Sequence, residues 1–296
     1  MEPLGQIHFY HALKIDKETC IGCTHCMRTC PTMALRIENG KAELLPERCV
    51  DCGYCLKVCP VHAISVEQDD FQQIFKYKRR VALIPAILLG QFPPSINTQL
   101  LYSLLLEIGF TDVFETENSV EIIHNITKHE LDKDDSKKPL ISAFCPAIIR
   151  LIQVRFPALV NYIAPIKAPL QLSALYYNQV LLNEGVSQED IGIFYITPCA
   201  AKIAEVKSYV HDTLITGVIN MNLIYNKILL QEAQSKSDRC SLGENSPFAL
   251  NKRSILWTLT YGEADTYPGR CLAVDEIHNV IEFLEKIENE EIAPPD

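Results

Sequence analysis

The chain has 296 residues, 48% of them hydrophobic and 22% charged, with a formal net charge of -10. That length holds one large domain or two unequal ones, and the apolar share excludes a disordered chain. With 27 Lys and Arg against 37 Asp and Glu there is no overall basic field for DNA or RNA.

Residues 1–18 carry no basic stretch followed by an apolar core, and the longest apolar run, 81–90, is too short to span a bilayer. The expectation is a cytoplasmic protein with no membrane and no nucleic-acid partner. Twelve cysteines in a chain of this size, with no sign of secretion, point to metal binding or catalysis rather than to disulfides.

Eight of the twelve cysteines lie between Cys20 and Cys59, which predicts a domain boundary beyond them; Cys145, Cys199, Cys240 and Cys271 are isolated. The first segment reads CIGCTHCMRTCP and the second CVDCGYCLKVCP, so Cys20, Cys23, Cys26, Cys30 and Pro31 recur 29 residues later as Cys49, Cys52, Cys55, Cys59 and Pro60. A CxxCxxC loop curls around one face of a cubane and aims three thiolates at three irons. The fourth cysteine, followed by proline, carries its sulfur to the other cluster. This assigns Cys20, Cys23, Cys26 and Cys59 to one 4Fe-4S cluster and Cys49, Cys52, Cys55 and Cys30 to a second. Zinc is the competing reading, but four-cysteine zinc sites pair two CxxC units across a longer gap. Residues 34–38 and 63–67 read as short strands. Together these features resemble a two-cluster bacterial ferredoxin domain over residues 12–70 and imply an α+β ferredoxin-like unit at 1–70. His8 and His11 lie close to this unit and read as solvated side chains.

Residues 69–80 are polar and charged, and 71–80 reads as a linker into a second domain at 81–296. Apolar strands then alternate with amphipathic helices. Strands are expected at 81–84, 111–114, 139–144, 192–196 and 272–274. Helices are expected near 95–108, from Ser119, between Ala147 and Leu182, near 220–233 and at 277–287. That alternation means an α/β domain with a largely parallel sheet.

Cys145 and Cys199 both follow a strand and precede a helix, where the helix dipole and free amides favour a thiolate. Taken singly, each is equally a small buried side chain. The surrounding segments carry a resemblance. Residues 144–170, FCPAIIRLIQVRFPALVNYIAPIKAPL, are similar to the first active-site segment of iron-only hydrogenases, with Pro157, Lys167 and Pro169 in register. TPCAAKIAE, 197–205, is similar to the second, of form PCxxKxxE. The resemblance extends from the ferredoxin-type segment to about Glu290 and implies an anaerobic way of life.

It implies that Cys145 and Cys199 ligate a third 4Fe-4S cluster, that Lys202 is the lysine meeting a cyanide of a diiron unit, and that Glu205 is the acid closing the motif. A cation one helical turn after a ligand cysteine suits an anionic cofactor; outside the motif, Lys202 and Glu205 read as a solvated helix face.

Three departures qualify this. Phe144 stands where the catalytic enzymes have a proton-relaying cysteine, and Ala164 where they have a serine; neither has an exchangeable proton. The third motif, a CxxxC pair, is missing, and Cys240 and Cys271 are too far apart to replace it. The diiron unit is therefore not expected to assemble on these residues. Loss of the relay cysteine resembles the sensory or regulatory branch of the family.

The leading expectation is an iron-sulfur electron-transfer or hydrogen-sensing protein on a hydrogenase-like scaffold, with a redox or signalling protein as partner. The alternatives are a hydrogenase lacking its last segment, and an iron-sulfur scaffold or assembly protein. No phosphate-binding glycine loop and no HExxH zinc motif appear.

Overall fold

The computed structural model describes residues 9–132, 139–208, 214–234, 252–259, 261–267 and 271–291. The cysteine-rich unit contains β1 (Leu13–Ile15), α1 (His25–Thr29), β2 (Leu35–Glu38), β3 (Lys41–Leu44), α2 (Tyr54–Lys57) and β4 (Ile64–Val66). Its first and last strands meet: β1 runs antiparallel to β4, with Leu13 opposite Val66, and β2 forms a hairpin with β3.

The internal repeat is written into the backbone. Left-handed residues recur at the same spacing: Gly22 with Asp51 (φ 67° and 52°), Thr24 with Gly53 (69° and 79°), and Met33 with His62 (52° each). So do hydrogen bonds: Asp16 N donates to Ala63 O and Leu45 N to Ala34 O, both at 2.8 Å. Four of these positions are not glycine, and L-residues adopt this conformation at a cost of about 1–2 kcal/mol each. The loops accept that cost in order to curl. Gly22 is needed for space as well, since a Cβ there would lie 2.3 Å from the carbonyl oxygen of Gly40.

Small residues and thiols make this core: Cys20, Cys26, Cys49 and Cys55 are buried beside Ala12, Ala34, Ala42, Ala63, Leu35 and Ile64. So few apolar atoms bury little surface, and a unit of this size without a metal is marginal.

The second unit is built on four parallel strands, β5 (Arg79–Ile84), β6 (Asp112–Glu115), β7 (Ile191–Thr197) and β8 (Gly217–Asn220), in the order β6-β5-β7-β8. All seven residues of β7 are buried, as a parallel strand covered on both faces must be. The helices are α3 (Ala86–Leu89), α4 (Thr98–Glu107), α5 (Val120–Asp132), α6 (Pro146–Arg155), α7 (Pro169–Asn183), α8 (Ala200–Ser208), α9 (Met221–Gln234), α10 (Lys252–Trp257), α11 (Gly262–Asp265) and α12 (Ile277–Glu288).

Alternation along β5 sorts the two faces. Ala82 and Ile84 pack with Leu101, Leu104 and Leu105 of α4 and with Ile224 and Ile228 of α9. Val81 and Leu83 belong to a core that continues through α7 and α8 into the cysteine-rich unit. A third core joins the loop of Val50, Cys52 and Tyr54 to Leu151 and Ile152 of α6 and to Ile277 and Ile281 of α12.

Several elements differ from the sequence expectation. Residues 71–76 form a 3-10 helix with Phe71 and Ile74 in the core of the sheet, and β5 already begins at Arg79. The strand expected at 139–144 is a single bridge between Ile141 and Ile163, because Ile141 bonds to Tyr162 and Ala164 outside the sheet. The strand expected at 272–274 is absent: Leu272 is 69% exposed and has no sheet edge beside it. The strands β1, β3 and β8 were not anticipated. Among the described residues, no helix is long and apolar enough to cross a membrane.

Candidate iron-sulfur sites

In the cysteine-rich unit, backbone amides point at sulfur. Ala34 N reaches Cys30 Sγ and, one repeat later, Ala63 N reaches Cys59 Sγ, both at 3.2 Å. Ala42 N and Asp51 N lie 3.4 Å from the sulfurs of Cys20 and Cys49. Such donors favour the thiolate form, and the amides of Ala42 and Gly22 hold the Cys20 thiol below its ordinary value. Burial acts the other way on Cys26 and Cys49, whose thiols are pushed up, and lifts Cys52 to about 11 and Cys55 to about 12. Buried thiols of this kind become thiolates when a metal supplies the compensating charge.

After burial, the neighbours that raise Cys55 most are Cys52, Cys30 and Cys26. Cys30, Cys49, Cys52 and Cys55 line one small cavity together with Leu13, Leu35 and Tyr54. Cys30 comes from the first repeat and the others from the second. These residues fit a cubane: four sulfurs converge on an apolar space, and amides point at two of the sulfurs. On the other side, Cys20 and Cys23 lie within electrostatic reach of Cys26.

One loop joins this site to the second domain. Asp51, between Cys49 and Cys52, is 1% exposed. Its carboxylate accepts from Ala12 N at 3.1 Å and Leu13 N at 3.3 Å, meets His11 Nδ1 at 2.8 Å, and accepts from Arg150 Nη1 at 3.4 Å. Arg150 Nη2 sits 3.0 Å from His11 Nε2, and the guanidinium stacks 3.7 Å over the Phe9 ring. Arg150 has only donors, so His11 accepts from it through Nε2 and turns Nδ1 to Asp51. His11 is a part-buried partner of Arg150 and not the solvated side chain expected of it; His8 lies outside the described residues. Arg150 belongs to α6, the helix that Cys145 caps. Tyr54, also in the cysteine loop, donates its hydroxyl to Glu276 at the start of α12.

The second candidate site lies at the carboxyl end of the parallel sheet. Chain order reverses between β5 and β7, and open parallel sheets bind ligands at such a point. Cys199 follows β7 directly, with its amide on Thr197 Oγ1 at 3.2 Å and its carbonyl accepting from Ile203 N at 3.1 Å to start α8. Cys145 starts α6 in the same way, its carbonyl accepting from Ile148 N and Ile149 N. Burial pushes the Cys145 thiol up, and the amides of Ile148 and Ala147 together with Lys202 oppose this.

Lys202 is central. Burial acts to lower its pKa, but Tyr195, Cys199, Glu205 and Cys145 together hold it above its ordinary value. Glu205 is pushed up by burial and restrained by Lys202. The ammonium lies 4.0 Å over the ring of Phe144, which packs edge-on against the buried Trp257 at 4.8 Å. The residue in the relay cysteine's place thus forms an aromatic wall against the lysine.

This site offers two cysteine sulfurs and one cation. Cys271 is exposed, and Cys240 lies outside the described residues. A complete hydrogen-activating cluster needs four converging thiolates for its cubane, so the described residues do not fit it. They do fit partial ligation of an iron-sulfur group. Sequence reasoning missed Asp51 and Arg150, and also Glu115 and Glu117, two buried carboxylates at the end of β6 and in the turn after it. An acid directly after the apolar strand expected at 111–114, as at Glu115, was the available signal.

Residues 80–243 match the family model described as iron only hydrogenase large subunit, C-terminal domain, and residues 12–60 match that of a 4Fe-4S dicluster domain. The chain is 29% identical to the periplasmic [Fe] hydrogenase large subunit of Nitratidesulfovibrio vulgaris, over 65% of this chain and 50% of that protein. It is 25% identical to the HndD subunit of an NADP-reducing hydrogenase of Solidesulfovibrio fructosivorans, over 38% of this chain and 21% of that protein. It thus spans half or less of the curated relatives it matches. Among solved structures, a variant of the [FeFe]-hydrogenase HydA1 from Chlamydomonas reinhardtii aligns with a TM-score of 0.42 and 18% identity, covering 67% of this chain and 57% of that one. With the hydrogenase model matching more than half of its length, the chain belongs to the iron-only hydrogenase large-subunit family and carries a 4Fe-4S dicluster domain ahead of its hydrogenase-like domain.

Proposed function

We propose that this chain is an electron-transfer protein in which a ferredoxin-like unit with two 4Fe-4S clusters exchanges electrons with a modified third site at Cys145 and Cys199. Cys20, Cys23, Cys26 and Cys59 hold one cluster; Cys49, Cys52, Cys55 and Cys30 hold the other. When bound, such clusters supply one-electron transfer. The protein's part is to fix their separation. The single observation that carries this reading is that the loop supplying Cys49 and Cys52 is bolted through Asp51, Arg150 and Tyr54 to the helices α6 and α12. A cluster held there stands next to the helix that begins at Cys145.

At the third site, Cys145 and Cys199 donate thiolates and Lys202 balances their charge. Glu205 restrains the lysine. Phe144 and Ala164 leave no proton relay on the side where the catalytic enzymes have one, which favours a slow, sensing role over bulk hydrogen turnover. A full hydrogenase is the second reading, favoured by the Lys202 position between two helix-capping cysteines. An assembly scaffold is disfavoured, because two isolated cysteines do not make a transferable cubane site. The working compartment proposed is the cytoplasm, and the partner a redox or signalling protein. The test is EPR of the reduced, anaerobically prepared protein. Two interacting low-potential cubanes are expected, and a single isolated cubane or none overturns the reading.

A further inference from the structure

The two copies of the cysteine repeat differ in the charges around them. Two residues after its first cysteine, the first copy has Gly22 and the second has the buried Asp51. Beyond the amides of Ala42 and Gly22, the Cys20 thiol is lowered by Lys41 and Lys17, side chains of its own unit. The Cys49 thiol is raised first by burial and then by Asp51, and Arg150 opposes this. Arg150 is foreign to the cysteine-rich unit, since it belongs to α6 of the hydrogenase-like domain.

The Arg150 side chain is 9% exposed. Its Nη1 donates to Tyr10 O at 3.3 Å and to Asp51 at 3.4 Å, and its Nε is buried with no partner among the described residues. Burial acts to lower its pKa, and Asp51 and Cys49 oppose that. A guanidinium does not lose its proton in a protein. A full positive charge therefore stays within electrostatic reach of Cys49, with one donor that the protein does not use. One electron added at Cys30, Cys49, Cys52 and Cys55 is one unit of negative charge among groups that are shielded from water. A fixed cation there stabilises that charge and a fixed anion opposes it.

We propose that Arg150 and Asp51 set the reduction potential of the second cluster from opposite sides, the guanidinium raising it and the carboxylate lowering it. Because Arg150 comes from the hydrogenase-like domain, the seating of that domain on the cysteine-rich unit gives the second cluster its working potential. The first cluster, met by lysines of its own unit, does not depend on that seating. Neither residue is a ligand; both act through their charge. The inference rests on the two N-terminal clusters of the function proposed above.

A reductive titration of the full-length, cluster-loaded protein followed by EPR reads the two one-electron steps, and Cys20→Ser, which leaves the second cluster, identifies which step is which. Arg150→Gln should move the second cluster's step to lower potential, by about a tenfold change in its reduced-to-oxidised ratio at fixed potential, or ~59 mV for one electron. Asp51→Asn should move it to higher potential, and Arg150→Lys, which keeps the charge, should leave it close to wild type. The first cluster's step should move less in every variant. The opposite signs are what a packing defect in α6 would not produce. Shifts of the same sign in Arg150→Gln and Asp51→Asn, equal shifts of both clusters, or no shift overturn the proposal, as does loss of the second cluster from Arg150→Lys. A wild type with fewer than two cubanes overturns the function reading and this inference with it, whereas two cubanes with an unmoved second step overturn this inference alone.

Discussion

The two halves of this molecule use cysteine in opposite ways. In the N-terminal unit the thiols are part of the core: Cys20, Cys26, Cys49 and Cys55 are buried among alanines, and the backbone bends left-handed at Thr24, Met33, Asp51 and His62 to bring them together. In the hydrogenase-like domain the sheet, clad by α4 and α9 on one face and α7 and α8 on the other, is a sufficient core without metal, and Cys145 and Cys199 are additions at its carboxyl end. The first unit needs its ligand for its fold. The second needs its fold for its ligand.

The sharpest way to break that contrast is to strip the iron. Chelation under reducing conditions is expected to unfold residues 9–66 while the four-stranded sheet persists, since metal binding is folding energy only where no other core exists. Amide hydrogen exchange checks this; loss of protection in β5 and β7 together with β1 and β4 would merge the two halves. Cys20→Ser is a smaller version. It should remove about 4 Fe by the stoichiometry of one cubane and spare the signal of the other.

Next in size is the joint between the halves. Arg150→Gln removes one partner of a buried ion pair, which typically costs about 3–5 kcal/mol. Asp51 keeps His11 and two amides, so the lower end is expected. The check is chemical denaturation, together with the magnetic coupling between clusters, which a purely structural defect in α6 would leave alone while the N-terminal unit stays intact.

The smallest effect lies in the second domain and depends on pH. Glu115 ionises near 7 when folded and in the ordinary carboxylate range when unfolded. Between those values the unfolded chain has released its proton and the folded chain has not. Stability from this group is therefore lost as pH rises through that window and stays lost above it. Glu115→Gln should raise the melting temperature at pH 8 more than at pH 5, by an amount corresponding to at most roughly 3 kcal/mol at 1.36 kcal/mol per pH unit. An equal shift at both pH values would mean that burial of Glu115 does not raise it.

The same contrast explains what could be read from the chain. The eight N-terminal cysteines announce themselves because their spacing repeats, and residues 12–60 match a 4Fe-4S dicluster domain. The parallel strands and the placing of Cys145 and Cys199 between a strand signal and a helix follow from apolar alternation, as 191–197 illustrates, while the sheet order does not. What stayed hidden depends on contacts distant in sequence. The partnership of Arg150 with Asp51 and His11 bridges 99 and 139 residues of sequence. The segment at 139–144 looks like a strand but bonds to Tyr162 and Ala164 instead of a sheet. Glu115 and Glu117 look like strand-end acids until the packing closes over them.

The most direct test of the account is iron and acid-labile sulfide per chain, measured on the anaerobic wild type and on Cys199→Ala. Two cubanes alone contain about 8 Fe. The account predicts a wild-type count above that value, falling to about 8 Fe in Cys199→Ala with the N-terminal EPR signals unchanged. A count of about 8 Fe in both proteins would contradict it and leave the second domain as a scaffold that holds no iron.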